Sequence, residues 1–296
     1  MQLLSALFII TRPLNVAIAG LSILVAASLV QPFHFTSPIA GAILSTIFIT
    51  AGANVINDFF DIDIDRINRP QRILPAGRLS PNTAKTFAIF LFACGFFFSI
   101  FINRTAAIIA VATSLLLIVY SWKLKRLPLS GNLAVSLSTA VAFVYAALAA
   151  ETGLAQLTTN TIRATNGWTS DWRAGIFPAV FAFLMHFGRE VIKDIEDQTG
   201  DHMVSARTLP LAYGLKAAQS AATIAFALLL IVTLVPAAFA LYSQTYFWII
   251  LLGVDPVVIF AIYELWKNPA PTRLRQISVA LKADMLIGLA AIYFGR

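Results

Sequence analysis

The chain has 296 residues, 59% of them hydrophobic and only 12% charged, with a formal net charge of +7 and a mean hydropathy of +0.81. A domain of this size has too little interior to hide that much apolar surface, so a water-soluble globular protein is excluded and a polytopic helical membrane protein is expected. The single cysteine, Cys94, rules out an internal disulfide and reads as a small buried side chain in the apolar run from Phe87 to Ile102.

In chain order, the opening MQLLSALFIITRPLN lacks the basic leader of a signal peptide and is read as running into further membrane segment. Nine apolar spans follow in an all-α fold: Leu14 to Val30, Pro38 to Asn57, Thr83 to Ile102, Thr105 to Tyr120, Leu129 to Ala150, Ala174 to Val191, Ala217 to Leu241, Tyr246 to Trp266 and Ile277 to Phe294. Pro178, Pro236 and Pro256 fall inside spans, which membrane helices tolerate. Glu151 to Arg173 reads as a long outer loop, either disordered or capping the far end. With this count, every one of the 21 Lys and Arg except Arg104, Arg163, Arg173 and Arg296 falls on the side of the N-terminus. The positive-inside rule places that side in the cytoplasm. The net charge then reflects topology and an anionic ligand, and nucleic acid is not an expected partner.

The 14 acidic residues are unevenly spread. Nine sit in two stretches, Asp58, Asp61, Asp63 and Asp65, then Glu190, Asp194, Glu196, Asp197 and Asp201. Asn54, Asp58, Asp61 and Asp65 match Glu190, Asp194, Asp197 and Asp201 at a constant offset of 136 positions. On a helix at ~100° per residue the four positions share an arc of roughly 60°, with Asn57 beside it. Carboxylates stacked on one face at a membrane edge repel and are costly to desolvate, so a cation is expected there. Hard oxygen donors suit Mg²⁺, which commonly binds a few carboxylates together with substrate phosphate oxygens. The interleaved Arg66, Arg69, Arg72 and Arg78, with Lys123, Lys125, Lys193 and Arg207, suit those phosphates. The two clusters therefore read as halves of one metal–diphosphate site. Solvated loop charges that balance each other are the alternative, and the repeated spacing weighs against it.

Asn57-Asp58-Phe-Phe-Asp61-x3-Asp65 and "KDIEDQTGD" (Lys193 to Asp201) resemble the two aspartate-rich motifs of the UbiA superfamily of intramembrane prenyltransferases. The resemblance extends through "INRPQRILPAGRLS", "YSWKLKRLPLSGN" and "ARTLPLAYG", and so covers nearly the whole chain in order. It implies one domain over residues 1–296, with two pseudo-repeats carrying motifs at 57–65 and 193–201. Nine helices would surround a central cavity that opens to the cytoplasm. Mg²⁺ is the implied cofactor, and a prenyl diphosphate and a lipophilic acceptor are the implied partners, met in a lipid membrane. By motif position, Asn57, Asp61, Asp65, Asp197 and Asp201 would hold the Mg²⁺–diphosphate. Asp58 and Asp194 come next, as metal ligands or supporting groups. Arg69, Arg72 and Lys123 would grip diphosphate oxygens, Tyr120 would line the pocket near the reacting carbon, and Arg12 would reach an anionic acceptor. Within the superfamily the motif combination is most similar to members that geranylgeranylate geranylgeranylglyceryl phosphate. Aromatic acceptors such as quinone precursors or chlorophyllide remain open.

The 23 Phe, 7 Tyr and 5 Trp suffice to line a tunnel for a C20 tail and to stabilise an allylic cation, although most are expected to face lipid. No dedicated base is evident. His186 reads as a hydrogen-bonded helix histidine or a pocket residue, His202 as a loop residue and His34 as idle. Asp255-Pro256 reads as satisfying backbone groups at a kink, and Glu264 and Asp284 as polar residues in or near spans. The rivals are a CDP-alcohol phosphotransferase, whose D-G-x2-A-R start is missing at Asp58 and Asp194, and a transporter with two pseudo-repeats.

Overall fold

A computed structural model describes residues 2–157, 171–203, 206–267 and 269–296. Most of the expected outer loop thus lies outside the described residues. Its first residues, up to Leu157, are helical, and Trp172–Gly175 form a 3₁₀ turn. The described chain is helical: α1 (Gln2–Ile10), α2 (Pro13–Ala27), α3 (Ser37–Phe60), α4 (Ile62–Asn68), α5 (Pro81–Ile100), α6 (Arg104–Trp122), α7 (Ser130–Leu157), α8 (Ile176–Glu196), α9 (Gln198–Met203), α10 (Leu209–Tyr213), α11 (Leu215–Ala238), α12 (Gln244–Ile249), α13 (Asp255–Lys267) and α14 (Pro271–Gly295). Among the described residues eight helices are long and apolar enough to cross a bilayer, and the bent pair α1–α2 is so only when taken together, which gives eight spans or up to nine.

Local sequence sets the ends. Proline occupies the first turn of α2, α3, α5 and α14, where a missing N–H costs nothing. The Ser80 hydroxyl accepts from Thr83 N, and Asn103 Oδ1 accepts from Ala106 N at 2.8 Å, capping α5 and α6. Within spans, Ser22, Ser114, Ser136 and Thr139 donate to the carbonyl four residues back, so their hydroxyls are satisfied without water.

Several spans differ from the sequence reading, among them the sixth, which runs five residues past Val191 to Glu196, and the ninth, which begins six residues before Ile277 at Pro271. The first span ends at Ala27 instead of Val30 and is preceded by a separate helix, bent from it by 50°. The fifth runs seven residues past Ala150, to Leu157. The eighth contains a π-helical stretch, Ile250–Val254, just before Pro256. There Asp255 N bonds Ile250 O, so the backbone itself absorbs the proline. The Asp255 carboxyl does not perform the role expected of it, since its Oδ1 has no partner. Cys94 is half-buried and not fully buried, and His202 lies on α9 and not in a loop.

The chain divides into two compact units. Met1–Leu124 with Val141–Ile176 form the first, and Lys125–Ala140 with Phe177–Arg296 the second. In the first unit α3 packs against α2, α5 and α6. In the second, α11, α12, α13 and α14 pack together. Each unit uses one glycine to bring a motif-bearing helix close to a neighbour. A Cβ on Gly52 of α3 would lie 3.3 Å from the Phe92 ring of α5, and one on Gly188 of α8 would lie 2.5 Å from the Phe226 ring of α11. Gly52 and Gly188 stand the same 136 positions apart as the aspartates.

Candidate functional site

The first cluster is built on the end of α3. The helix carries Asn54, Asn57 and Asp58 and breaks at Asp61, whose φ of −97° and ψ of 5° leave the helical region. The expected single helical face is therefore interrupted. Its direction survives, because Asp61 N bonds Asn57 O at 3.0 Å and Asp65 N bonds Asp61 O at 2.7 Å. Asp65 then falls on α4. Asn57 Nδ2 donates to Asp61 Oδ2 at 2.9 Å.

Asp58 and Asp65 are 6% and 4% exposed, and both are held by arginine. Arg72 Nη1 lies 2.6 Å from Asp65 Oδ2 and 3.4 Å from Asp58 Oδ1. Arg12 Nη2 also pairs with Asp58 Oδ1. Burial pushes the Asp65 carboxyl above its ordinary value; the Arg72 guanidinium pulls the other way but does not prevail. Asp63, which the helical geometry turns aside, is exposed and pairs only with Arg66, at 3.0 Å.

Two devices bring the arginines in. Ile73, Leu74 and Leu79 are buried in one apolar cluster with Val55 and Ile56 of α3 and Ala84, Ala88 and Leu91 of α5. This anchors the stretch after α4 and carries Arg72 to the carboxylates. Arg12 sits at the joint between α1 and α2 with φ 55° and ψ 70°, left-handed backbone that non-glycine residues rarely adopt. The joint is fixed by Asn54 Nδ2 donating to Thr11 O at 2.8 Å and by the Arg12–Asp58 ion pair.

The second cluster repeats the local pattern. Helix α8 ends at Glu196, Asp197 lies at the break, and α9 carries Asp201. Asp197 N bonds Lys193 O at 2.8 Å and Asp201 N bonds Asp197 O at 3.0 Å. Asp194 Oδ2 accepts from Asn132 Nδ2 of α7 at 2.9 Å. Glu190 is buried and grips Lys193 Nζ at 2.7 and 2.9 Å, with Arg189 Nη1 at 3.3 Å. Arg189 Nε also donates to Ser278 O at 3.1 Å. The sequence reading had no role for Asn132, although it closes the "YSWKLKRLPLSGN" stretch. It treated Glu190 only as the partner position of Asn54.

Of the remaining expected residues, Tyr120 is half-buried near the end of α6, and Lys123 is exposed at its C-cap. Arg69 is half-buried and caps α4, its N–H bonding Asp65 O at 2.8 Å. His186 Nδ1 lies 3.0 Å from Ala182 O, as the helix-histidine reading expects.

Among the described residues no three Asp, Glu, His or Cys side chains converge as a ready-made metal cage. Mg²⁺ does not require one, since it takes one or two carboxylates and completes its shell with water and phosphate oxygens. Asp61 with its Asn57 support, and Asp194 with Asn132, supply donors of that kind. Arg12 and Arg72 meanwhile hold positive charge against the buried carboxylates.

The model of the UbiA prenyltransferase family matches residues 16–282. The digeranylgeranylglyceryl phosphate synthase of Thermococcus gammatolerans is 34% identical over 288 residues, covering 95% of each chain. That of Methanothermobacter thermautotrophicus is 31% identical over 289 residues, covering 97% of this chain and 94% of its own. A solved structure of digeranylgeranylglyceryl phosphate synthase superposes with a TM-score of 0.76 at 29% identity, covering 100% of this chain and 99% of that one. A UbiA homologue from Archaeoglobus fulgidus, bound to GPP and Mg²⁺, shares the fold with a TM-score of 0.68 at 17% identity, over 97% of this chain and 99% of its own.

Proposed function

The chain belongs to the UbiA prenyltransferase family and is an integral multi-pass membrane enzyme, and from that premise we propose that it transfers a geranylgeranyl group from its diphosphate to geranylgeranylglyceryl phosphate. The relatives named above as digeranylgeranylglyceryl phosphate synthases, similar over nearly their whole length, support this acceptor. The observation that carries the chemistry is the network in which Arg12 and Arg72 neutralise Asp58 and Asp65 beside the Asn57–Asp61 pair.

Asp61 and Asp65 of the first motif would each offer a carboxylate to Mg²⁺ and the diphosphate, as would Asp197 and Asp201 of the second, with Asp58 and Asp194 in support. A Mg²⁺ held there would supply positive charge against the leaving diphosphate. Arg69, Arg72 and Lys123 stabilise the same charge as the allylic C–O bond breaks. Asn57 orients Asp61, and Asn132 orients Asp194. Tyr120 presents its ring to the developing allylic cation. The glycerol hydroxyl oxygen forms the new bond to C1, and its proton leaves on the released diphosphate or on a carboxylate. Arg12 turns from Asp58 to the anionic phosphate of the acceptor. Apolar surroundings keep water from intercepting the cation. The distribution of Lys and Arg supports a cytoplasmic N-terminus and a site that opens to that side.

The test is transfer of labelled geranylgeranyl diphosphate by detergent-purified protein to a panel of acceptors: geranylgeranylglyceryl phosphate, 4-hydroxybenzoate, a naphthoate and chlorophyllide. An ether-lipid product that requires Mg²⁺ is expected, with Asp61→Asn and Asp197→Asn each lowering turnover at least about a hundredfold. A product from an aromatic acceptor alone would overturn the acceptor. Normal turnover by the Asp61→Asn/Asp197→Asn double variant would overturn the site.

A further inference from the structure

The last two spans contain a polar pair for which prenyl transfer has no use. Asp255 opens α13 and Asp284 lies on α14, each near the middle of its span, Gln244–Lys267 and Pro271–Gly295. Asp255 is 6% exposed and Asp284 1%. Oδ1 of Asp255 and both carboxyl oxygens of Asp284 have no hydrogen-bond partner. The two spans touch at this depth, since a Cβ on Gly253 would meet Ile287 Cγ2 at 2.9 Å. The charge of Asp255 also acts on Asp284.

Among the described residues no basic side chain bonds the Asp284 carboxyl or Asp255 Oδ1. On α12, Tyr246 feels the charge of Asp255, but its hydroxyl donates to Thr233 O at 2.8 Å. Tyr242 stacks on Tyr246 with ring centroids 4.8 Å apart. On α11 the sole charged residue is Lys216, at the opposite end of its span. On α13, Glu264 is taken by Arg273 at 2.7 Å. On α14, Lys282 lies two positions from Asp284 and so projects from another side of the helix. A carboxylate stripped of both water and donors takes up a proton in preference to staying charged. A metal ion fits poorly, because Asp255 and Asp284 are 6% and 1% exposed, so neither bulk water nor a phosphate completes the shell that two carboxyls leave open.

We propose that Asp255 and Asp284 form an intramembrane proton-binding site, holding one exchangeable proton between their carboxyls and tying the π-helical turn before α13 to α14. The proton enters from water and returns to it, and no other bond changes.

Infrared difference spectroscopy on the full chain, at neutral pH in H₂O and D₂O, tests this. A carboxylic-acid C=O stretch that shifts on deuteration is expected, and the Asp255→Asn/Asp284→Asn variant should lack it. The paired amides can bond each other, and prenyl transfer by this variant reports that it is folded. Should it not fold, Asp284→Asn alone must move the band, because an amide then replaces the second carboxyl. Proton linkage is the second readout. Between the ordinary carboxyl value of about 3.9 and the pH at which the folded pair releases its proton, the unfolding constant of the wild type relative to the variant rises about tenfold per pH unit, and it levels off above that pH. No band sensitive to these substitutions, or parallel pH profiles, overturns the proposal. So does Na⁺ stabilising the wild type and not the variant over an equal concentration of N-methylglucamine, because the occupant would then be a metal cation.

Discussion

Arg72→Ala removes the one guanidinium that bridges two buried carboxylates, and its cost can be worked from the geometry. At 2.6 Å from Asp65, with an effective dielectric of about 20, the gross attraction is about 6 kcal/mol. Desolvation of both groups cancels much of this, and the Arg72 side chain keeps 22% of its exposure. Asp58 retains Arg12, so the loss falls on Asp65, which has no other ion-pair partner among the described residues. A net destabilisation of about 2–4 kcal/mol is expected, which lowers Tm by roughly 3–6 °C in a chain of this size. Thermal unfolding in detergent without Mg²⁺ reads it, in a cycle with Asp65→Asn. The penalty for losing Arg72 should shrink by at least about 1.5 kcal/mol when Asp65 is already neutral. A coupling below about 0.5 kcal/mol, or an unchanged Tm for Arg72→Ala, would refute the claim that this ion pair organises the first motif.

Asp65 has a raised carboxyl value in the folded protein, so it contributes stability below the ordinary value of about 3.9 and loses that contribution as pH rises through the folded value. The difference in Tm between wild type and Asp65→Asn, measured in EDTA, should therefore shift against the wild type across that interval; a flat difference would mean the burial is compensated. Gly188→Ala places a methyl 2.5 Å from the Phe226 ring and should cost about 1–3 kcal/mol. Gly52→Ala meets Phe92 at 3.3 Å and should cost less, so equal losses of Tm would contradict the packing described.

The membrane class, the span count and the placement of both motifs at helix ends were legible because hydropathy and charge act through composition. A run of apolar residues must be hidden in lipid wherever its neighbours lie, and the family resemblance carries the order of motifs. Helix termination depended on finer terms. Nothing in "NDFFDIDID" marks Asp61 as a break, since aspartate continues a helix at small cost and the i→i−4 bonds persist through it. The bend at Arg12 was hidden for a similar reason: an arginine in left-handed backbone is held there by Asp58 and Asn54, more than 40 positions away. Asn132 was likewise invisible until a contact of 62 positions placed it on Asp194. Long-range polar contacts are fixed by packing, and a single sequence prints only the residues that make them.

The joint at Arg12 links two kinds of force. Leu3, Leu4, Phe8 and Ile9 of α1 expose their apolar side chains, while the guanidinium that follows them is seated on Asp58. A thicker or thinner bilayer that tilts α1 must therefore pull on, or slacken, a charge held against the first motif. Lipid composition thus gains a mechanical lever on the electrostatics of the carboxylates, exerted through a single left-handed residue.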